Sequence, residues 1–119
     1  MKFILLMYAP EGAWPPDEHL AAIEESVQLC NRLQAQGKYL AAAPLQPPTT
    51  ARSVRIRDGV RLVSDGPFAE TKEQLGGFFL IEADSLDDAI AIAEQVPGTR
   101  RGTAEIRPVV ELPGLPGPD

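Results

Sequence analysis

The run Phe78-Phe79-Leu80-Ile81 constrains this chain more than any other stretch. Side chains alternate across a strand, so Phe78 and Leu80 face one way while Phe79 and Ile81 face the other. A sheet built on such a strand has two apolar faces, and neither can be left in water. Phe3-Ile4-Leu5-Leu6-Met7 has the same character, as in a strand in the middle of a sheet. That run is far too short to span a bilayer and no A-x-A-like cleavage region follows it, so no membrane role and no leader are expected.

Two segments carry helical periodicity. From Asp17 the residues Leu20, Ile23, Val27, Cys30 and Leu33 share one side, opposite Glu24, Glu25, Gln28, Asn31 and Arg32, and Gly37 supplies the C-terminal cap. Leu86, Ala89, Ile90, Ala93 and Val96 form the second stripe, after a weak capping box of Ser85 and Asp88, and Pro97-Gly98 stops it. Short strands are expected at Tyr39–Ala43, Phe78–Glu82 and Ala104–Val110. Asp58-Gly59 joins Ser53–Arg57 to Val60–Val63, and an Asp-Gly pair between alternating strands is a strong hairpin signal because both residues need positive φ.

The order is strand, helix, strand, inserted hairpin, strand, helix, strand. It is the split βαβ pattern of a ferredoxin-like α+β domain with both helices on one face. The other face needs a cover, and two such sheets pairing face to face make a dimeric α+β barrel, so a homodimer is expected. One domain over residues 1–111 and a Pro/Gly-rich tail over 112–119 account for all 119 residues.

Seventeen acidic against eleven basic residues give a net charge of −6, which argues against nucleic acid as a partner. The basic concentration is Arg52, Arg55, Arg57 and Arg61 on the hairpin, offset by Asp58, suited at most to a small anion or an acidic protein patch. One cysteine and one histidine leave a disulfide or a transition-metal site short of partners, so no metal is expected and a reducing cytoplasm is the simplest location. Cys30 falls in the apolar helix stripe, which favours burial over reactivity. Gly76 and Gly77 are expected to permit a bulge or a close backbone approach where a strand begins.

Asp65 to Gly77, DGPFAETKEQLGG, running on into FFLIEADSLDDAIAIAEQ, resembles the signature of the YCII-related proteins of the DGPF family. KFILLMY, AQGKYL, RIRDGVRLVSDGPF and TAEIRPV extend the resemblance over Met1 to Val110. The resemblance implies the ferredoxin-like dimeric barrel shared with muconolactone isomerase and small monooxygenases. It implies no single reaction: a few YCII-like relatives are lyases on chlorinated aromatic rings, and some members are encoded beside or fused to extracytoplasmic-function sigma factors.

Two readings of Asp65 stand. Its carboxylate accepts backbone N–H groups in the turn before Gly66-Pro67, or it lies at a cleft mouth as a base or a partner to a histidine. The resemblance implies a His and Asp pair in such a cleft; Asp65 matches the Asp, and His19 is the one histidine available. Lys72 either neutralises Glu70 and Glu73 or holds a substrate anion. Phe68 is a cleft wall or a stacking surface. Glu105 and Arg107 share a strand face, and Tyr8 and Trp14 either pack or line an opening. The functional reading is a small-molecule cleft around the DGPFAETKE loop. It suits a cofactor-free lyase or isomerase of small cyclic or aromatic acids, with Asp65, Lys72 and His19 catalytic and Phe68, Glu70, Glu73 and Arg107 binding substrate. The alternative is a sensing or interaction protein tied to a sigma factor.

Overall fold

Residues 1–117 are described by a computed structural model. The strand β1 (Lys2–Ala9) runs through the middle of a four-stranded antiparallel sheet in the order β2-β5-β1-β6, where β2 is Tyr39–Pro44, β5 is Gln74–Glu82 and β6 is Thr103–Pro108. Two helices, α1 (Pro16–Ala35) and α2 (Leu86–Glu94), make the crossovers. The architecture is the ferredoxin-like α+β arrangement expected from the element order. The inserted strands β3 (Arg52–Arg57) and β4 (Val60–Asp65) form a separate two-stranded sheet. Pro118 and Asp119 of the tail lie outside the described residues.

Alternation on the central strands decides which side is the core. Phe3 and Leu5 of β1 and Phe79 and Ile81 of β5 are buried, together with Leu29 and Leu33 of α1 and Ala89, Ile92 and Ala93 of α2. Their neighbours Ile4, Leu6, Phe78 and Leu80 point to the opposite face and are half-buried. The register sets Ile4 between Leu80 and Arg107, and Leu6 between Phe78 and Glu105, so that face is an apolar strip with Glu105 and Arg107 along one margin.

The helices differ in detail from their sequence periodicity. On α1, Leu29 and Leu33 anchor the C-terminal half, whereas Leu20 and Val27, expected to be inward, are exposed. The N-terminal half stands off the sheet, so only half of the expected stripe is consumed by packing. On α2, Ile92 replaces the exposed Ile90 and Leu86 in the core. Gln36 ends α1 and Gly37 follows at φ 73°, with Lys38 N–H donating to the Leu33 carbonyl at 2.8 Å and Gly37 N–H to that of Gln34 at 3.0 Å. This is a Schellman stop.

Helix α2 starts on a well-made cap. The Ser85 hydroxyl accepts from Asp88 N–H at 3.1 Å, and the Asp88 carboxylate accepts from Asp84 N–H and from Lys38 Nζ. The backbone hydrogen bond from Asp84, reinforced by Lys38, holds the Asp88 carboxyl below its usual range. A depressed carboxyl contributes stability above its unfolded value and loses it as pH falls through the folded one. The Asp-Gly hairpin turn has positive φ at both Asp58 (53°) and Gly59 (75°).

Two expectations follow. Ser85→Ala should cost about 1 kcal/mol, the ordinary value of an N-cap side chain, read as a lowered melting temperature. In melts taken from neutral to strongly acid pH, Asp88→Asn should be less stable than wild type at neutrality, and the difference should vanish at the acid end.

Candidate functional site

Where α1 lifts off the sheet, the two surfaces facing each other carry small residues. Ala22 and Ser26 on the helix oppose Ala42, Ala43, Gly76 and Gly77 on β2 and β5. Gly77 cannot be enlarged, since a Cβ there would meet the Ala43 carbonyl oxygen at 2.9 Å. Gly76 is the extra residue of a β-bulge, because the register passes from Met7 opposite Gly77 to Tyr8 opposite Leu75. With no long side chain to fill the gap, a cavity of about 560 Å³ remains, within the range that small-molecule sites occupy.

Its walls are mostly apolar: Met7, Ile23, Val27, Phe79, Val96 and Pro97. The polar groups on the lining are Tyr8, Trp14, His19, Ser26, Asn31 and Tyr39, with the Cys30 thiol and Gln34, and among the described residues no lysine, arginine or carboxylate joins them. The Ser26 hydroxyl is committed to the Ala22 carbonyl at 2.9 Å. Burial pushes the Cys30 thiol up, which keeps it protonated and slow as a nucleophile.

Two consecutive arginines brace the wall. Arg100 reaches Glu25 with two hydrogen bonds of 2.9 Å, and Arg101 reaches Glu18 at 3.0 and 3.2 Å. Glu18 and Glu25 are two helical turns apart, so both pairs tie one side of α1 to the segment before β6. The Arg101 guanidinium also lies 4.3 Å from the centre of the Trp14 ring and donates to the Ala13 carbonyl at 3.0 Å, holding the loop that carries Trp14. These contacts hold the Glu25 carboxyl below its usual range and raise the arginines further.

The structure separates the expected site residues. His19 lines the cavity near Trp14, on the first exposed turn of α1. Asp65, Phe68, Glu70, Lys72, Glu73 and Arg107 do not line it. The expectation that Asp65 lies at a cleft mouth is corrected within one copy: its side chain is 91% exposed and pairs with Arg52 across the hairpin at 3.1 Å. Solvation by water, and not burial, is therefore its environment, and among the described residues no hydrogen bond joins it to His19. Phe68 is 78% exposed. Lys72 and Glu70 are exposed, Glu73 is half-buried, and Arg107 sits on the sheet face away from the helices. What the signature does bring to the cavity is its last two residues, Gly76 and Gly77, with Phe79 following on the helix side of the sheet.

The struts Arg100, Arg101, Glu18 and Glu25 were not singled out from the sequence. The seven-residue spacing of the two glutamates is the signal that was available, but it has no meaning until the arginine pair is placed opposite. Glu18 and Glu25 read simply as solvated helix faces.

A ferredoxin-like α+β domain with an apolar chamber under its first helix is thus the class that fold and site define. The YCII-related domain matches over residues 1–113, and the chain belongs to that family. An uncharacterised protein of Rhizobium meliloti (strain 1021) is 36% identical over 114 residues, covering 92% of each chain. Among solved structures, 5-chloro-2-hydroxyhydroquinone dehydrochlorinase from Burkholderia phenoliruptrix AC1100, in complex with 2,5-dihydroxybenzoquinone, is similar with a TM-score of 0.56 and 16% identity. That alignment covers 92% of this chain and 94% of the other.

Thiol labelling checks the cavity wall. Cys30 should react with a small maleimide far more slowly than the same thiol in urea, and Arg101→Ala, which releases Trp14, should speed labelling several-fold.

Proposed function

We propose that the chain binds a small, uncharged, ring-shaped molecule in the chamber under α1. The observation that carries this reading is the lining itself: a mostly apolar cavity of about 560 Å³ with hydroxyl, amide, indole and imidazole groups and, among the described residues, no lysine or arginine. A carboxylate ligand would be stripped of water there with no lysine or arginine to meet it, a cost an uncharged hydroxylated ring avoids. This revises the expected ligand from an acid to a neutral compound and moves the site from the DGPFAETKE loop to the chamber its final glycines border. The structural neighbour supports the reading at the level of fold; by name it acts on a chlorinated hydroxyhydroquinone.

The chemistry the lining offers is proton transfer. His19 is its one imidazole, the side-chain type suited to exchanging a proton near neutral pH, and Tyr8 supplies a hydroxyl on the same lining. A lyase or isomerase step on a ring hydroxyl fits these groups. In this reading the chain works as a homodimer, because Ile4, Leu6, Phe78 and Leu80 leave an apolar sheet face without cover from either helix.

Trp14 is the single tryptophan and lines the chamber, so its fluorescence reports binding directly. Titration with phenol and hydroquinone should give a saturable change, with benzoate binding at least tenfold more weakly. Ser26→Leu, which fills the chamber without altering charge, should abolish that change while the protein stays folded. No saturable response to any neutral ring, or tighter binding of benzoate, would contradict the proposal. Light scattering should give a mass near twice 12.8 kDa.

A further inference from the structure

The β3–β4 hairpin is an anomaly in an otherwise economical fold. Its strands pack extensively only on each other, and its root is held by Gly66 N–H donating to the Ala51 carbonyl at 2.8 Å and by the Ser53 hydroxyl donating to that of Gly66 at 2.9 Å. The radius of gyration is 16.1 Å, against about 13.5 Å for a compact chain of this length. Val54, Ile56, Val60, Leu62 and Val63 are between 46% and 67% exposed. A two-stranded hairpin with no third layer is marginal in water, so this arm needs a surface to lie on.

Its two faces are unlike. Opposed residues share a face, so Val54, Val63 and Ile56 line one side with Arg61 and the Arg52–Asp65 pair at its ends. Arg55, Arg57, Leu62 and Val60 line the other. The arm carries four arginines against two aspartates, so of the chain's −6 the remainder holds −8. A positive, apolar arm on a negative body is complementary to the body of another molecule of the same chain.

We infer that the β3–β4 arm is an intersubunit clasp that grips a second copy of this chain. Each arm strand has six residues, a reach of roughly 20 Å at about 3.3 Å per residue, whereas paired sheets are about 10 Å apart. That reach exceeds the spacing of two paired sheets, so an arm rooted beside β2 and β5 is long enough to pass a partner's sheet layer and lie on its flank. The three aliphatic side chains of one face, Val54, Ile56 and Val63, roughly 100 Å² each and about 60% exposed, bring roughly 180 Å² per arm. Two arms and the surfaces they cover bury on the order of 700 Å², an extension of the sheet-face interface and not an interface by itself. The clasp goes beyond the pairing of sheet faces proposed above.

Sedimentation of the full chain over a concentration series tests the clasp. The double variant Ile56→Asp, Val63→Asp should keep the wild-type circular dichroism, since neither residue touches the core, and weaken dimerisation at least a hundredfold. Arg55→Ser with Arg57→Ser should weaken it about tenfold in low salt and less at high salt. In wild type, amide exchange of β3 and β4 should slow as the protein is concentrated. Folded variants that dimerise as wild type does, or arm amides whose exchange ignores concentration, would overturn the clasp while leaving the sheet-face dimer intact. A wild type that stays monomeric throughout would overturn both, and a change in the Trp14 titration would bear on the chamber alone.

Discussion

The alternation of β5 between β2 and β1 is the constraint on which the rest of this structure depends. Phe79 and Ile81 face the helices and supply the core, while Phe78 and Leu80 make the opposite face apolar as well. At its start the same strand changes character: Gly76 is spent on a bulge and Gly77 lies against the backbone of β2, so the large side chains stop where the chamber begins. A single strand thus seals one end of the helix–sheet interface and leaves the other end open.

Holding that opening at a fixed size falls to charged pairs on the surface. Exposed ion pairs taken singly contribute little, about 0 to 1 kcal/mol. Arg100 and Arg101, however, are adjacent, bidentate and directed at glutamates two turns apart, which sets the height and tilt of α1 more than its stability. Arg101 adds the stacking on Trp14, so one guanidinium couples helix, loop and chamber margin. Gly102, next in the chain, is fitted so closely against Tyr8 that a Cβ would collide with its carbonyl oxygen. The position of the braces is therefore built into the backbone.

Most of the fold was legible in the sequence because alternation, helical period and turn chemistry are local. Asp58-Gly59, Gly37 and Ser85 with Asp88 do in the structure what their residue types predict. The helix stripes were legible only in part: Val27 lies on the apolar side by period, yet it borders a chamber instead of filling a core, and period alone cannot register a gap. The site was less legible still. Asp65 stood out for its chemistry and its place in a motif, but its surroundings depend on where a hairpin projects, and in one copy that is into water beside Arg52. His19 could be named as the available imidazole, whereas the small residues that create the space around it, Ala22, Ser26, Ala42 and Ala43, carry no chemical signal of their own.

The central claim is that the gap between α1 and the sheet is a ligand chamber for neutral rings. Side-chain methyl spectra recorded during titration with hydroquinone test it most directly. The account predicts saturable shifts confined to Met7, Ile23, Val27 and Val96, with the methyls of Leu62 and Val63 on the arm unchanged. Shifts clustered around the arm and the DGPFAETKE loop, with the chamber methyls unmoved at saturation, would contradict it.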